Sequence, residues 1–156
     1  MSEGQRERLS FAVEARSLAS PERVFAVLVD VPRWQEWAGP VVPRSSYEKT
    51  GVPAPGGVGA IRRLGSGPLS SREEIVEYDP PRRLAYILLN GQRRHGYRAQ
   101  VDLEPLDGGG TRITWSGSFR PPFPGTGHLM LLGFQRLLQG FAQRLATRAE
   151  RLPTVA

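Results

Sequence analysis

The sequence predicts an α+β domain in which an antiparallel sheet packs against one long helix near the C-terminus. Short runs of alternating polar and apolar residues, separated by turn residues, cover most of the chain, and a helical repeat follows them. Alternation with period two is typical of half-buried strands, and short turns favour antiparallel pairing because parallel neighbours need long crossovers. Helices kept apart from an antiparallel sheet define the α+β class.

The first strand and two short helices occupy the N-terminal part of the chain. Leu9, Phe11, Val13 and Ala15 alternate with polar residues and predict the strand. Ser20 and Pro21 then provide a helix cap and a suitable first helical residue, although Arg23 stands where a capping box would need Glu or Gln. Asp30-Val-Pro breaks this helix, and residues 32–37 predict a second, shorter helical turn.

Six further strands are predicted from regularly spaced patterned runs with short turns between them. Asn90-Gly91 is a strong signal for a tight hairpin. The predicted strands cover residues 42–49, 58–64, 70–78, 84–90, 95–104 and 111–120.

A long amphipathic helix is predicted over about residues 126–152, where the apolar period changes from two to that of a helix. Pro153 ends the pattern. One apolar stripe of this helix contains Met130, Phe134, Leu137, Phe141 and Leu145. Gly133 and Gly140 lie near this stripe, and glycine inside a helix predicts a packing or ligand reason, so they favour a cavity there.

Composition narrows the function classes. The absence of cysteine excludes disulfides and thiolate chemistry, and neither histidine has a metal-ligand spacing, so we expect no metal and no cofactor. The net charge is +6, but the arginines are spread along a strand and a helix, so we do not expect a nucleic-acid partner; codon usage is the alternative explanation of their number. We expect a single cytoplasmic domain over 1–156, with residues 1–7 disordered, no transmembrane segment, and a monomeric or homodimeric state.

Five stretches, in order along nearly the whole chain, resemble the START-related SRPBCC superfamily, in particular its polyketide cyclase/dehydrase and lipid-transport branch. They are Ala-Ser-Pro-Glu-Arg-Val-Phe (19–25), Val-Pro-Arg-Trp-Gln-Glu-Trp (31–37), Gly-Val-Gly-Ala-Ile-Arg-Arg (57–63), Glu-Tyr-Asp-Pro-Pro-Arg-Arg-Leu-Ala-Tyr (77–86) and Gly-Gly-Thr-Arg-Ile-Thr-Trp (109–115). The resemblance implies a helix-grip fold, in which a seven-stranded antiparallel sheet wraps the long helix around a cavity. The superfamily includes both carriers and enzymes, so the fold alone does not decide function.

Strand alternation then proposes which side chains line that cavity. For residues 58–64 we predict that Ile61 and Arg63 face inward, with Ala60 and Arg62 as the alternative, because a slip of one residue reverses the face. The predicted ligand-binding residues are Trp37, Ile61, Arg63, Glu73, Ile75, Tyr86, His95, Tyr97, Trp115, Phe119, Phe134 and Phe141.

Two functions remain open at this point. The first is binding, by sequestration or transport, of a small hydrophobic molecule such as a lipid, isoprenoid or aromatic polyketide. The second is a cofactor-independent polyketide cyclase/dehydrase, with His95 as acid or base, Tyr97 as hydrogen-bond donor and Arg63 holding a carbonyl. The alternative for these polar residues is structural: a buried Arg63–Glu73 ion pair and a core histidine. A protein-interaction module using the exposed loop at 121–124 is a third possibility.

Overall fold

The computed structural model of the chain describes residues 7–90 and 96–152. The seven strands are β1 Leu9–Ser17, β2 Ser45–Lys49, β3 Ile61–Leu64, β4 Ser71–Asp79, β5 Arg83–Leu88, β6 Arg98–Pro105 and β7 Thr111–Phe119. The α-helices are α1 Pro21–Val29 and α2 Gly127–Arg151, and short 3-10 helices cover Val31–Glu36 and Gly67–Leu69.

All seven strands belong to one antiparallel sheet with the order β1-β7-β6-β5-β4-β3-β2. Sequential neighbours pair throughout, except that β1 closes the order beside β7. Helix α2 packs mainly on β1 and α1, and also on β7, so one side of the sheet is covered. The predicted fold class, a seven-stranded antiparallel sheet gripping a long C-terminal helix, is confirmed.

The predicted start of α1, with Ser20 as its cap and Pro21 as its first residue, is confirmed. The Ser20 hydroxyl accepts a hydrogen bond from the Arg23 amide at 3.3 Å, and Pro21 is the first helical residue. The 3-10 helix after α1 carries Trp34, whose Nε1 donates to the Leu28 carbonyl at 2.9 Å. This bond fixes a fully buried indole between α1 and the sheet.

The predicted register of β3 is wrong. The strand begins at Ile61, after Gly59 with φ +90° and a loop that exposes Val58, so it is shorter than predicted. Its pairing with β4 sets Arg62 opposite Glu73, and both side chains are buried. Arg63 is therefore exposed and Ile61 only half-buried. Arg62, the alternative in the sequence, is the inward arginine.

The two halves of α2 differ in burial. In the C-terminal half, Ala142, Leu145, Ala146 and Ala149 are buried, and the Ser17 hydroxyl donates to the Ala146 carbonyl at 2.8 Å. Toward the N-terminus, Leu129 is 77% exposed and Phe134 is half-buried. Neither helix in the described ranges has the length and apolar character that crossing a membrane would require.

The two helix glycines do not create the cavity, contrary to the sequence prediction. A side chain at Gly133 would project into open space, so the absence of one there does not enlarge any cavity. At Gly140 the nearest atom to an added Cβ belongs to the flexible end of Arg144, at 3.1 Å. Any cavity must therefore come from the side chains of the sheet and α2 themselves.

Candidate functional site

A cavity of about 280 Å³ lies between α2 and the sheet. Its wall is formed by the inward side chains of β3, β4, β5 and β7, by Tyr97 directly before β6, by the 3-10 helix and the segment after it, and by one stripe of α2. The lining residues are Trp34, Val41, Val42, Arg62, Leu64, Ser71, Glu73, Tyr86, Leu88, Tyr97, Trp115, Phe134, Leu137, Leu138 and Phe141. Most of this surface is apolar. Val41 and Leu137 are exposed, which places them at the mouth.

Aromatic rings form much of the wall. The Phe134 ring lies 5.1 Å from that of Tyr97 and 5.0 Å from that of Phe119, between centroids. On the other side, Trp115 lies 6.2 Å from Trp34 and 5.9 Å from Phe141. Such tilted and edge-to-face contacts hold the rings in defined orientations. The wall is therefore an ordered and largely aromatic apolar surface.

One end of the cavity is polar because it contains an ion pair. Arg62 Nε lies 3.3 Å from Glu73 Oε1, and the two side chains are only 1% and 8% exposed. The Arg62 guanidinium carbon lies 4.7 Å from the centroid of Trp34 and 4.4 Å from that of Tyr86. Both contacts are within cation–π range, so the aromatic wall also stabilises the buried cation.

This ion pair is incompletely hydrogen-bonded. Within the described residues, Arg62 Nε and Nη1 and Glu73 Oε1 are buried without an aligned hydrogen-bond partner. Burial raises the pKa of the Glu73 carboxyl, and the adjacent Arg62 charge offsets part of that rise. A buried charge without its partner is strongly unfavourable, so each residue depends on the other. The pair is therefore a charged group, with incomplete hydrogen bonding at Arg62 Nη1, in an otherwise apolar space.

Two tyrosines extend the polar end. Trp115 Nε1 donates to the Tyr86 hydroxyl oxygen at 3.0 Å, and the ring of Tyr97 lies 6.5 Å from that of Tyr86, between centroids. Burial raises the pKa of both hydroxyls, most strongly that of Tyr97. Both are therefore neutral at physiological pH and can act as hydrogen-bond donors or acceptors toward a ligand.

The structure brings together half of the residues predicted for the site. The six that line the cavity are Glu73, Tyr86, Tyr97, Trp115, Phe134 and Phe141. Ile75 and Phe119 are buried in the core but do not line it, and neither do Trp37 and Ile61. Arg63 lies on the opposite face of β3, and His95 lies outside the described residues.

Sequence reasoning missed several wall residues. Leu64 shares the face of Arg62, and Val41, Val42, Leu137 and Leu138 complete the apolar wall near the mouth. The choice of Arg62 over Arg63 would have made Leu64 inward as well, since the two are two residues apart on a strand. Within residues 7–90 and 96–152, no three His, Asp or Glu side chains come close enough together to hold a metal ion.

Comparison with known families gives one match over most of the chain. The family described as polyketide cyclase / dehydrase and lipid transport matches residues 8–150. No curated protein matches the sequence.

Solved structures with the same fold have low sequence identity. A START superfamily protein from Mycobacterium smegmatis is 17% identical, with a TM-score of 0.68 and coverage of 94% of this chain and 99% of that one. Norcoclaurine synthase from Thalictrum flavum is 13% identical, with a TM-score of 0.72 and coverage of 94% and 88%. The protein XoxI from Bacillus cereus is 18% identical, with a TM-score of 0.67 and coverage of 91% and 96%. At these identities the similarity shows the helix-grip fold.

Proposed function

Because the chain belongs to the polyketide cyclase/dehydrase and lipid transport family, a family of hydrophobic-ligand-binding domains, we propose that it sequesters or transports a compact, ring-containing apolar molecule. The observation that carries this proposal is the aromatic wall around an apolar space of about 280 Å³. Drug-sized ligands occupy pockets of roughly 300–1,000 Å³, so this cavity is near the lower limit. A compact ring system therefore suits it better than a long acyl chain.

The wall chemistry supports rings over flexible chains for a second reason. The rings of Phe134, Tyr97 and Trp115 are held by contacts with each other and with the core. A flat ligand can stack on such a preformed surface with little further ordering of side chains, which favours binding. Access is through the mouth beside Val41 and Leu137, where exposed apolar side chains can contact an entering ligand.

The proposal is tested with 2-methylnaphthalene as a probe, using titration of its fluorescence with the protein. Two variants each introduce an arginine on α2. Phe134→Arg places the charge in the cavity wall, and Leu129→Arg places it on the exposed surface. We expect the wall variant to weaken binding by at least about tenfold, equivalent to about 1.4 kcal/mol. The surface variant should bind like the unchanged protein.

Folding of each variant is checked by circular dichroism and thermal unfolding. If Phe134→Arg does not fold, Leu137→Arg replaces it, because that side chain is 38% exposed at the mouth and the change is tolerated more easily. Equal affinity of the unchanged, wall and surface proteins would reject the cavity as the binding site. Absence of probe binding to the unchanged protein would reject the proposal itself.

Acid–base catalysis on a carbonyl compound is a second candidate, and the Arg62–Glu73 pair is the observation that favours it. Glu73 could exchange a proton with a ligand, while Arg62 could stabilise negative charge on a carbonyl oxygen. The test is incubation with an acyclic poly-β-ketone mimic, followed by mass spectrometry for a cyclised product that has lost water. Turnover that Glu73→Gln removes would support this candidate, and equal turnover in that variant would reject the assignment.

A further inference from the structure

The polar end of the cavity restricts the chemistry of the head group that a ligand can place there. Building on the proposed function, we propose that the ligand is uncharged and presents a hydrogen-bond acceptor and a hydrogen-bond donor side by side, as a carboxamide, a lactam or a hydroxy-carbonyl group does. The acceptor faces Arg62 and the donor faces Glu73. The inference rests on the incomplete hydrogen bonding of this ion pair, on the orientation of its two side chains, and on the net charge of the wall.

The first argument concerns unmet hydrogen bonding. Arg62 Nη1 is buried without a hydrogen-bond partner among the described residues, and Arg62 Nε and Glu73 Oε1, which lie 3.3 Å apart, meet as an ion pair without an aligned hydrogen bond. Both side chains line the cavity, so a ligand bound there contacts this ion pair. Buried polar groups in native proteins are nearly always hydrogen-bonded, and leaving them unpaired is unfavourable. A pure hydrocarbon ligand would leave the deficit unchanged.

The second argument is the orientation of the guanidinium. The ring centroids of Trp34 and Tyr86 lie 4.7 and 4.4 Å from Arg62 Cζ, so both aromatic rings contact the cation. An arginine stacked on rings keeps its N–H groups directed outward along the edge of its plane. Arg62 and Glu73 also stand opposite each other on β3 and β4, which places their side chains on one face of the sheet. Donor and acceptor are therefore presented together.

The third argument is charge. The ionisable side chains of the wall are Arg62, Glu73, Tyr86 and Tyr97, so the wall is neutral overall when the ion pair is intact and the tyrosines carry their protons. A carboxylate ligand would bring an uncompensated negative charge into this apolar space and would face the Glu73 carboxylate. A neutral head group avoids that penalty and can satisfy both members of the pair.

Four probes with the same naphthalene ring test the inference at neutral pH: 2-methylnaphthalene, methyl 2-naphthoate, 2-naphthamide and the 2-naphthoate anion. The amide offers an acceptor and a donor, the ester an acceptor alone, and the anion acceptors with a charge. We expect 2-naphthamide to bind about tenfold more tightly than the ester, as expected for an added buried hydrogen bond. The anion should bind more weakly than the ester.

A double variant, Arg62→Met with Glu73→Leu, is the control, because replacing a buried ion pair by apolar residues is often tolerated in folding. In this variant the ratio of the 2-naphthamide affinity to the ester affinity should fall to about one, whereas Leu129→Arg, on the exposed surface of α2, should keep the ratio of the unchanged protein. Equal affinity of amide and ester for the unchanged protein would overturn the inference, and so would tightest binding of 2-naphthoate. Failure of 2-methylnaphthalene itself to bind would instead reject the proposed function.

Discussion

The two halves of α2 perform different tasks with the same helical repeat. The C-terminal half presents small and aliphatic side chains, including Ala142, Leu145 and Ala149, that pack closely in the core. The N-terminal half presents Phe134 and Leu137, which border the cavity and remain partly exposed. The C-terminal half resembles an ordinary protein interior, and the Ser17–Ala146 hydrogen bond holds it to β1.

The difference shows where the fold is stabilised and where it leaves space for a ligand. Close packing at one end holds the helix on the sheet, so the other end can contain a cavity without loss of the fold. The cavity end nevertheless contains one feature on which stability depends, the buried Arg62–Glu73 pair. Substitutions at the two ends should therefore have different costs, and the following predictions test that contrast.

The largest effect is expected at the cavity end, from breaking the ion pair. Arg62→Met leaves the Glu73 carboxylate buried without its partner, which typically costs about 3–5 kcal/mol. Urea unfolding measures the free energy of unfolding of the variant and of the unchanged protein. Adding Glu73→Leu to the same variant should recover most of the loss. A single variant as stable as the unchanged protein would show that the pair is dispensable.

A matched leucine pair compares the two halves of α2 directly. Leu145→Ala removes a fully buried side chain and should lower the free energy of unfolding by about 2–5 kcal/mol. Leu137→Ala, at the cavity mouth, should lower it by no more than about 0.5 kcal/mol, since a surface side chain is being shortened. Urea unfolding of both variants provides the measurement. Equal losses would contradict the division of α2 into a packed half and a cavity half.

The smallest effect concerns β2, the edge strand of the sheet on the cavity side. The Tyr47 hydroxyl donates to the Val29 carbonyl, and burial raises the pKa of Tyr47 from 10.0 to about 12. As pH rises through this interval, the unfolded chain ionises first, so stability falls. The advantage of the unchanged protein over Tyr47→Phe should therefore shrink between pH 10 and 12. A stability difference that is constant across this range would refute this account of Tyr47.

Much of the fold could be predicted because its signals are local. Period-two alternation in β1 and β7, the Ser20 cap and the long stripe of α2 each specify an element independently of the rest of the chain. The register of β3 could not be predicted in the same way. In Ile61-Arg62-Arg63-Leu64, either phase buries one arginine and one aliphatic residue, so alternation does not discriminate between them. The pairing of Arg62 with Glu73 across the ladder decides it.

The site was predictable to a similar extent. Tyr86, Trp115 and Glu73 lie on strands, where alternation decides the face, and they do line the cavity, as does Tyr97 directly before β6. The mouth was not predictable, since Val41 lies in a segment outside the regular elements, where no period fixes its direction. The prediction of a cavity at Gly133 failed for another reason. A glycine on a helix shows that a side chain is absent, but not what lies next to it.

Binding of an apolar ring in the cavity is tested most directly by the indole N–H signals of the three tryptophans in a ¹⁵N-labelled sample. Trp34 and Trp115 line the cavity. Trp37 does not line the cavity, although its ring centroid lies 4.8 Å from that of Trp34, so it provides an internal control. Titration with 2-methylnaphthalene should shift the signals of Trp34 and Trp115 in a saturable way, and that of Trp37 much less. If all three signals stay unchanged, or if Trp37 shifts most, the molecule does not bind where we place it.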